Sequence, residues 1–251
     1  MQQYFLNQNC PEVGATFSLE KADSHHLFTV MRDQAEEKIQ VIFSDQTLTL
    51  AQVNGDQATL ILLETLARTV ELPVGVTIAV GLPKSDKLEF ITQKTTELGA
   101  QAILAYPAQW SVTKLDAKKA IKKQERLQKI AKGAAEQSKR LMIPKTEILS
   151  NLKALTDQFE QYDQVLVAYE ESAKSGETAA FVDRLSQLKA GQNLLVIFGP
   201  EGGLSPEEID VFTQLGAVKI GLGPRIMRAE TAPMYVLSAI SFYTELMNKH
   251  I

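Results

Sequence analysis

Two stretches of the chain combine residue types that bind or react. The first, residues 194–209, reads LLVIFGPEGGLSPEEI: an apolar run ends in Gly199, Pro200, Glu201, Gly202 and Gly203, and a helix start follows. Glycine lacks a Cβ, so such a turn brings backbone N–H and C=O groups close to a small molecule. Ser205 is a good N-cap, Pro206 suits the first helical position and Glu208 completes a capping box, which sets a helix N-terminus against the turn. A merely tight strand-to-helix turn would use the same residues. The second stretch, residues 220–243, reads IGLGPRIMRAETAPMYVLSAISFY and gathers Arg225, Arg228 and Glu230 in one loop. Charged groups crowded near backbone need partners or a ligand, so this loop is either ion-paired within itself or part of a site. Neither G-x-G-x-x-G nor G-x-x-x-x-G-K-[ST] occurs, which argues against a dinucleotide fold and a P-loop.

The elements that must position these loops follow from periodicity. Short apolar runs at 76–80, 102–105, 165–169, 194–198 and 217–220 alternate with helical patterns. That is the signature of an α/β domain whose sheet is covered on both faces. Residues 1–70 read mainly as β, with strands over 38–43, 47–53 and 58–66 and an Asn54-Gly55 type I′ hairpin turn. Pro73 and Gly75 stand where the character changes, so a domain boundary is expected there, giving domains 1–70 and 71–251.

A helix is expected over 86–98, with Asp86 and Glu89 as a capping box, Leu88, Ile91 and Leu98 on one face, Lys87 and Lys94 on its flank, and Gly99 as its stop. A longer one, over 116–141, puts Lys118, Lys122, Arg126, Lys129, Lys132 and Arg140 in one stripe opposite Leu127, Ile130, Ala131 and Leu141. The stripe reads equally as a solvated face or as a row of phosphate contacts.

Composition narrows the classes. The chain has 251 residues, 45% hydrophobic and 22% charged, an ordinary globular make-up with room for two modest cores. The N-terminus lacks the pattern of a signal peptide, and no apolar run approaches the roughly 18 residues of a membrane span, so a soluble cytoplasmic protein is expected. A net charge of -4 argues against indiscriminate nucleic-acid binding, so any RNA contact must be local. Cys10 is the only cysteine and the histidines are His25, His26 and His250, too few for a disulfide framework or a Cys/His zinc site. Cys10 reads as a small apolar filler. His25 and His26 follow Asp23 and Ser24, read as helix caps, and are taken as structural.

GPEGGLSPEEI followed by LGPRIMRAETA resembles the paired signature of the ribosomal small subunit methyltransferase E (RsmE) family of the SPOUT superfamily. KSDKLEFITQKTTELG at 84–99, AAEQSKR at 134–140 and SHHLFTVMR at 24–32 resemble other segments of that family, so the likeness covers nearly the whole chain. It implies a PUA-like N-terminal β-barrel that recognises RNA, and an α/β SPOUT domain with a deep trefoil knot. It also implies a homodimer joined at the knot and terminal helix, although the apolar run at 234–242 would serve a monomer core equally. S-adenosylmethionine would lie in the knot against Ala168, Glu170, Phe198, the 199–203 loop, Leu222, Gly223, Ile226, Met227, Thr231 and Ala232. The chain departs from the family pattern at Gln109-Trp110-Ser111, where an arginine is usual, and at Glu36-Glu37, where Gly-Asp is usual. Trp110 would stack on a base or bury at an interface.

The implied reaction is methylation of uridine N3 in 16S ribosomal RNA, of the uracil(1498)-N(3) type. Uracil N3 carries a proton and is a poor nucleophile until that proton leaves, so the site needs a base, or cations that stabilise the anion. Glu230 is the expected base; Arg228 and Arg225 are expected to stabilise the anion or hold a neighbouring phosphate. RNA contacts are expected from Arg32, Lys84, Lys87, Lys94, Lys118, Lys122, Arg126 and Arg140, with assembled small subunits as substrate. The rival readings are a SPOUT enzyme for another ribosomal or transfer RNA position, a nucleotide-binding α/β enzyme using the glycine-rich loop, and a non-catalytic RNA-binding protein.

Overall fold

The computed structural model describes residues 1–32, 34–170 and 179–247; His250 lies outside them. The chain divides into two compact units, Met1–Glu71 with Ala135–Met142, and Leu72–Ala134 with Ile143–Ile251. The first unit is thus not a contiguous N-terminal segment.

That unit holds β1 (Gln3–Leu6), β2 (Thr16–Phe17), β3 (Lys38–Phe43), β4 (Leu48–Val53) and β5 (Leu60–Thr65) in the order β1-β3-β4-β5-β2. β1 joins β3 in parallel, and the other pairs are antiparallel. Alternate residues such as Ile39 and Val41 pack with Tyr4, Leu27, Ala51 and Leu60, the half-buried pattern of period two. The expected two-residue hairpin at Asn54-Gly55 does not form. Six residues separate β4 from β5, because the Asp56 carboxylate accepts from the backbone N–H of Ala58 and Thr59 at 2.9 and 3.0 Å and stabilises a wider turn. Those bonds, Ala58 first, hold the Asp56 acid below its usual range.

Asp23 and Ser24 are not helix caps: α1 (Lys21–His25) has Glu20 at its N-cap, and Ser24 N–H already bonds Glu20 O at 2.8 Å. His26 Nδ1 hydrogen-bonds the Tyr4 hydroxyl at 2.9 Å, a structural role. At Glu36 the backbone takes a left-handed φ of 74° and the turn closes through Glu36 N–H to Val53 O at 2.9 Å.

Arg140 leaves the expected basic stripe. α3 (Ala117–Ser138) ends earlier than its periodicity suggests; Lys139 takes a left-handed φ of 62° and turns the chain, so Arg140 is buried and its guanidinium bonds the Glu71 carboxylate. Glu71 also accepts from Leu141 N–H at 2.8 Å, so Arg140 belongs to the interior of the unit, not to an RNA-facing surface. Glu71→Ala withdraws the carboxylate from a guanidinium whose side chain is only 4% exposed. Urea unfolding should show a loss of about 3 kcal/mol.

The second unit is a six-stranded parallel sheet in the order β11-β9-β10-β6-β7-β8. Its strands are β6 (Gly75–Gly81), β7 (Ala102–Tyr106), β8 (Lys145–Ile148), β9 (Gln164–Ala168), β10 (Asn193–Phe198) and β11 (Val218–Ile220). β6 and β10 are buried along almost their whole length, as strands covered on both faces must be. β8, an edge strand of KTEI, carries too little apolar signal to be read from sequence. The covering helices are α2 (Lys87–Glu97), α3, α4 (Leu152–Thr156), α5 (Ala179–Ser186), α6 (Pro206–Gln214) and α7 (Thr231–Ser241), the last continuing as a wider π-type turn over Phe242–Met247.

The capping box expected at the start of α2 is absent. Asp86 makes no side-chain cap, and Glu89 turns instead to α3, accepting from Lys123 Nζ and Arg126 Nη2, both at 2.7 Å. Two cations on a neighbouring helix outcompete one local N–H. No helix among the described residues is long and apolar enough to cross a membrane.

Candidate active site

The carboxyl ends of β9, β10 and β11 open into one cavity of ≈ 730 Å³, a volume in the usual range for small-molecule sites. In parallel sheets the strand ends are where loops converge, and here the strand order is non-consecutive: β10 lies between β9 and β6, with β11 outside β9. Ala168 ends β9 and Glu170 lies beyond it, Phe198 ends β10 and the 199–203 loop follows, and Leu222, Gly223, Arg225, Ile226, Met227, Arg228 and Ala232 follow β11; all line the cavity. Thr231 does not, and Glu230 meets the cavity wall through Lys87.

The glycine-rich loop is built to close on itself. A Cβ on Gly199 would stand 2.7 Å from the Gly203 carbonyl carbon, and Gly203 has a φ of +80°, which side chains rarely adopt. Gly203 N–H donates to Pro200 O at 2.8 Å, completing the turn. The first glycine therefore serves the loop's own packing, a use that its sequence pattern does not distinguish from ligand approach. Beyond the loop, α6 starts as its sequence predicts. Ser205 Oγ accepts from Glu208 N–H at 3.1 Å, and Glu208 Oε2 accepts from Ser205 N–H at 3.0 Å. Gln109 locks onto the same corner: its N–H donates to Glu208 at 2.9 Å and its Oε1 accepts from Ser205 Oγ at 2.6 Å. This fixes Trp110, 45% exposed, in the cavity lining against Gly202, where an added Cβ would stand 3.1 Å from the Trp110 Cβ.

Lys87 is the residue that sequence reading misplaced. Expected to face phosphates from the flank of α2, it lies in the cavity wall with Nζ 3.1 Å from Glu201 Oε1 and 3.0 Å from Glu230 Oε2. Glu230 Oε2 accepts no well-directed hydrogen bond, so the second contact is an ion pair. The carboxylates, Glu230 first and Glu201 second, push the Lys87 ammonium above its ordinary range. Burial draws the Glu230 acid upward, but its own backbone N–H, Lys87 and Arg228 outweigh burial and leave it below the usual carboxylate range. Glu201 is lowered in the same way, by its own N–H, the Lys84 N–H at 3.1 Å and Lys87 against burial. No periodicity within α2 announces these contacts, because both partners come from distant loops.

Arg225 and Arg228 are exposed and make no ion pair among the described residues. The loop is therefore not neutralised within itself, and its guanidiniums face a space a ligand can enter. Of the other cations, Lys84, Lys118 and Lys122 are exposed, and Arg32 is exposed in the first unit with a left-handed φ of 61°. Lys94 pairs with Glu97 at 2.9 Å, and Arg126, though exposed, bonds Glu89. Of the basic stripe, Arg126 is thus engaged by Glu89 and Arg140 lies outside α3. No group of three or more metal-binding side chains occurs among the described residues.

A family model described as an RNA methyltransferase domain matches residues 70–241, which contain every cavity-lining residue named above. A ribosomal RNA small subunit methyltransferase E of Bacillus subtilis (strain 168) is 46% identical over 98% of this chain and 98% of its own. Among solved structures, one described as a hypothetical protein shares 40% identity with a TM-score of 0.88, covering 98% of this chain and 100% of that one. A ribosomal RNA small subunit methyltransferase E from Neisseria gonorrhoeae, solved bound to S-adenosyl methionine, has a TM-score of 0.84 at 24% identity, over 97% of this chain and 98% of its own. At that identity the likeness is one of fold.

Proposed function

This chain belongs to the ribosomal RNA small subunit methyltransferase E family, and on that premise we propose that it transfers the methyl group of S-adenosylmethionine to N3 of a uridine in 16S ribosomal RNA. The observation that carries the reading is the cavity at the ends of β9, β10 and β11, in which a glycine-rich loop and two guanidiniums that make no ion pair among the described residues face one space. S-adenosylmethionine supplies an activated methyl group on a sulfonium cation when bound. The residues present fit such a group. Backbone of the 199–203 loop and of Leu222 and Gly223 suits a nucleoside, and Phe198, Leu222 and Ile226 give apolar walls.

The chain's own task is to place the uracil in line and exclude water. Arg228 and Arg225 stabilise the negative charge that spreads over the uracil oxygens as the N3 proton leaves, and Glu230, held as a carboxylate, accepts that proton. A uridine in structured RNA must be turned out before the cavity can receive it. The first unit is read as a PUA-like barrel that holds the RNA, and the non-consecutive order of β9, β10 and β11 as the site of a trefoil knot. A homodimer is proposed through α7 and the Phe242–Met247 turn, where Tyr235, Phe242, Leu246 and Met247 are exposed. The substrate is read as the assembled small subunit in the cytoplasm.

The deciding experiment incubates the protein with labelled S-adenosylmethionine and small subunits lacking the modification, then identifies the product by mass spectrometry of digested RNA. 3-Methyluridine at one site is expected. Transfer to naked or transfer RNA alone would overturn the substrate, and absence of cofactor binding would overturn the reaction. Reversing Lys118 and Lys122 to glutamate should weaken RNA binding about tenfold or more at low salt and reduce its salt dependence, with cofactor affinity unchanged, as filter binding across a salt series would record.

A further inference from the structure

One ammonium on α2 stands between two carboxylates from separate loops of the cavity. Lys87 Nζ is 3.1 Å from Glu201, in the loop after β10, and 3.0 Å from Glu230, which immediately precedes α7. The three side chains are only 31%, 25% and 16% exposed, so water screens their charges incompletely. Glu201 is further anchored to the start of α2 by Lys84 N–H. Arg228 of its own loop is a second cation acting on Glu230. Without the ammonium, two anions would share one wall, and one of them would protonate more readily.

We propose that Lys87 is a positioning residue for methyl transfer, tying the glycine-rich loop to the start of α7 and setting the place and charge of the carboxylate that receives the uracil proton. This rests on the function proposed above, because it assigns Glu230 a proton from substrate. In this role Lys87 acts through Glu201 and Glu230. The direction of its effect follows from its charge. A cation beside Glu230 keeps that group ionised to lower pH, so the acid limb of the rate profile lies low while Lys87 is present. Removing the charge moves the limb upward, and arginine, which keeps the charge, restores it in part despite a different shape.

The test compares wild type, Lys87→Met and Lys87→Arg by two readouts. The first follows the carboxyl carbon of Glu230 by NMR in the protein alone, as pH is varied. Lys87→Met should raise its midpoint by roughly one pH unit and Lys87→Arg should return it most of the way. The second is the pH profile of kcat with RNA, where the acid limb should move in step. An unchanged Glu230 midpoint in Lys87→Met overturns the proposal. A midpoint that moves without any movement of the acid limb overturns the proton-receiving part. If wild type transfers no methyl group to any RNA while the NMR midpoint still shifts, the function has failed and the clamp has not. Calorimetry of cofactor binding completes the set: loss of about tenfold in affinity in Lys87→Met, recovered in Lys87→Arg, is expected if the clamp also orders the glycine-rich loop.

Discussion

Arg228→Ala is expected to lower kcat for methyl transfer by about 10²–10³-fold, the loss typical of removing one donor from a developing anion. Cofactor affinity should stay within about twofold, because the Arg228 side chain is exposed and makes no ion pair among the described residues that its loss would disrupt. Its backbone matters separately: Arg228 O accepts from Thr231 N–H at 2.9 Å and Ala232 N–H at 3.1 Å, which starts α7, and alanine keeps both bonds. Arg225→Ala, from the same loop, should cost less if Arg225 holds a flanking phosphate rather than the base itself. Single-turnover rates with cofactor saturating, set beside calorimetric affinities, separate the two arginines. Glu230→Gln gives the companion result. Turnover that stays intact across the pH range in this variant, while Arg228→Ala is inactive, would remove Glu230 from the proton's path and leave charge stabilisation as the chemistry of the loop.

Gly199→Ala should abolish measurable cofactor binding, a loss of at least about a hundredfold, without any change of charge. The new methyl group would meet the Gly203 carbonyl carbon at 2.7 Å, and backbone cannot swing aside as a flexible side-chain end can. The turn closed by Gly203 N–H and Pro200 O must open to admit it, carrying Gly202 and Glu201 away from their places. Gly202→Ala is milder by the same geometry, since its neighbour is the Trp110 Cβ at 3.1 Å, which needs to yield only a few tenths of an ångström. Isothermal titration with S-adenosylmethionine ranks the two. Comparable affinities for both variants would show that the loop tolerates opening and that its glycines are not placed by this contact.

The two loops were legible because each is written in consecutive residues. Ser205, Pro206 and Glu208 spell a helix start whose partners lie within one turn, and the structure forms that capping box. Asp86 and Glu89 spell the same signal at α2, but there Lys123 and Arg126 of α3 claim Glu89, and a local rule loses to a tertiary one. Lys87 and Arg140 were misread for the same reason: a cation on a helix looks solvent-facing until the distant carboxylates of Glu201, Glu230 or Glu71 are brought to it. The Asn54-Gly55 turn failed differently, because Asp56 offered a second local solution with more hydrogen bonds. The parallel sheet was readable from apolar runs, but its order was not, since runs of Val, Ile and Leu carry no mark of which neighbour they pair with.

The place of β10 between β9 and β6 governs when the cavity comes into being. β6 is made early and its partner β10 only after β7, β8 and β9, so the middle of the sheet stays open on a growing chain until the last third emerges from the ribosome. The loop after β10 and the loop after β11 are then added in turn, and a growing chain holds both only once β11 and the start of α7 have been made. A methyl donor consequently lacks the full cavity until the last third of the chain has been added. Its stabilisation acts on the finished protein, slowing unfolding while leaving the rate of folding nearly untouched.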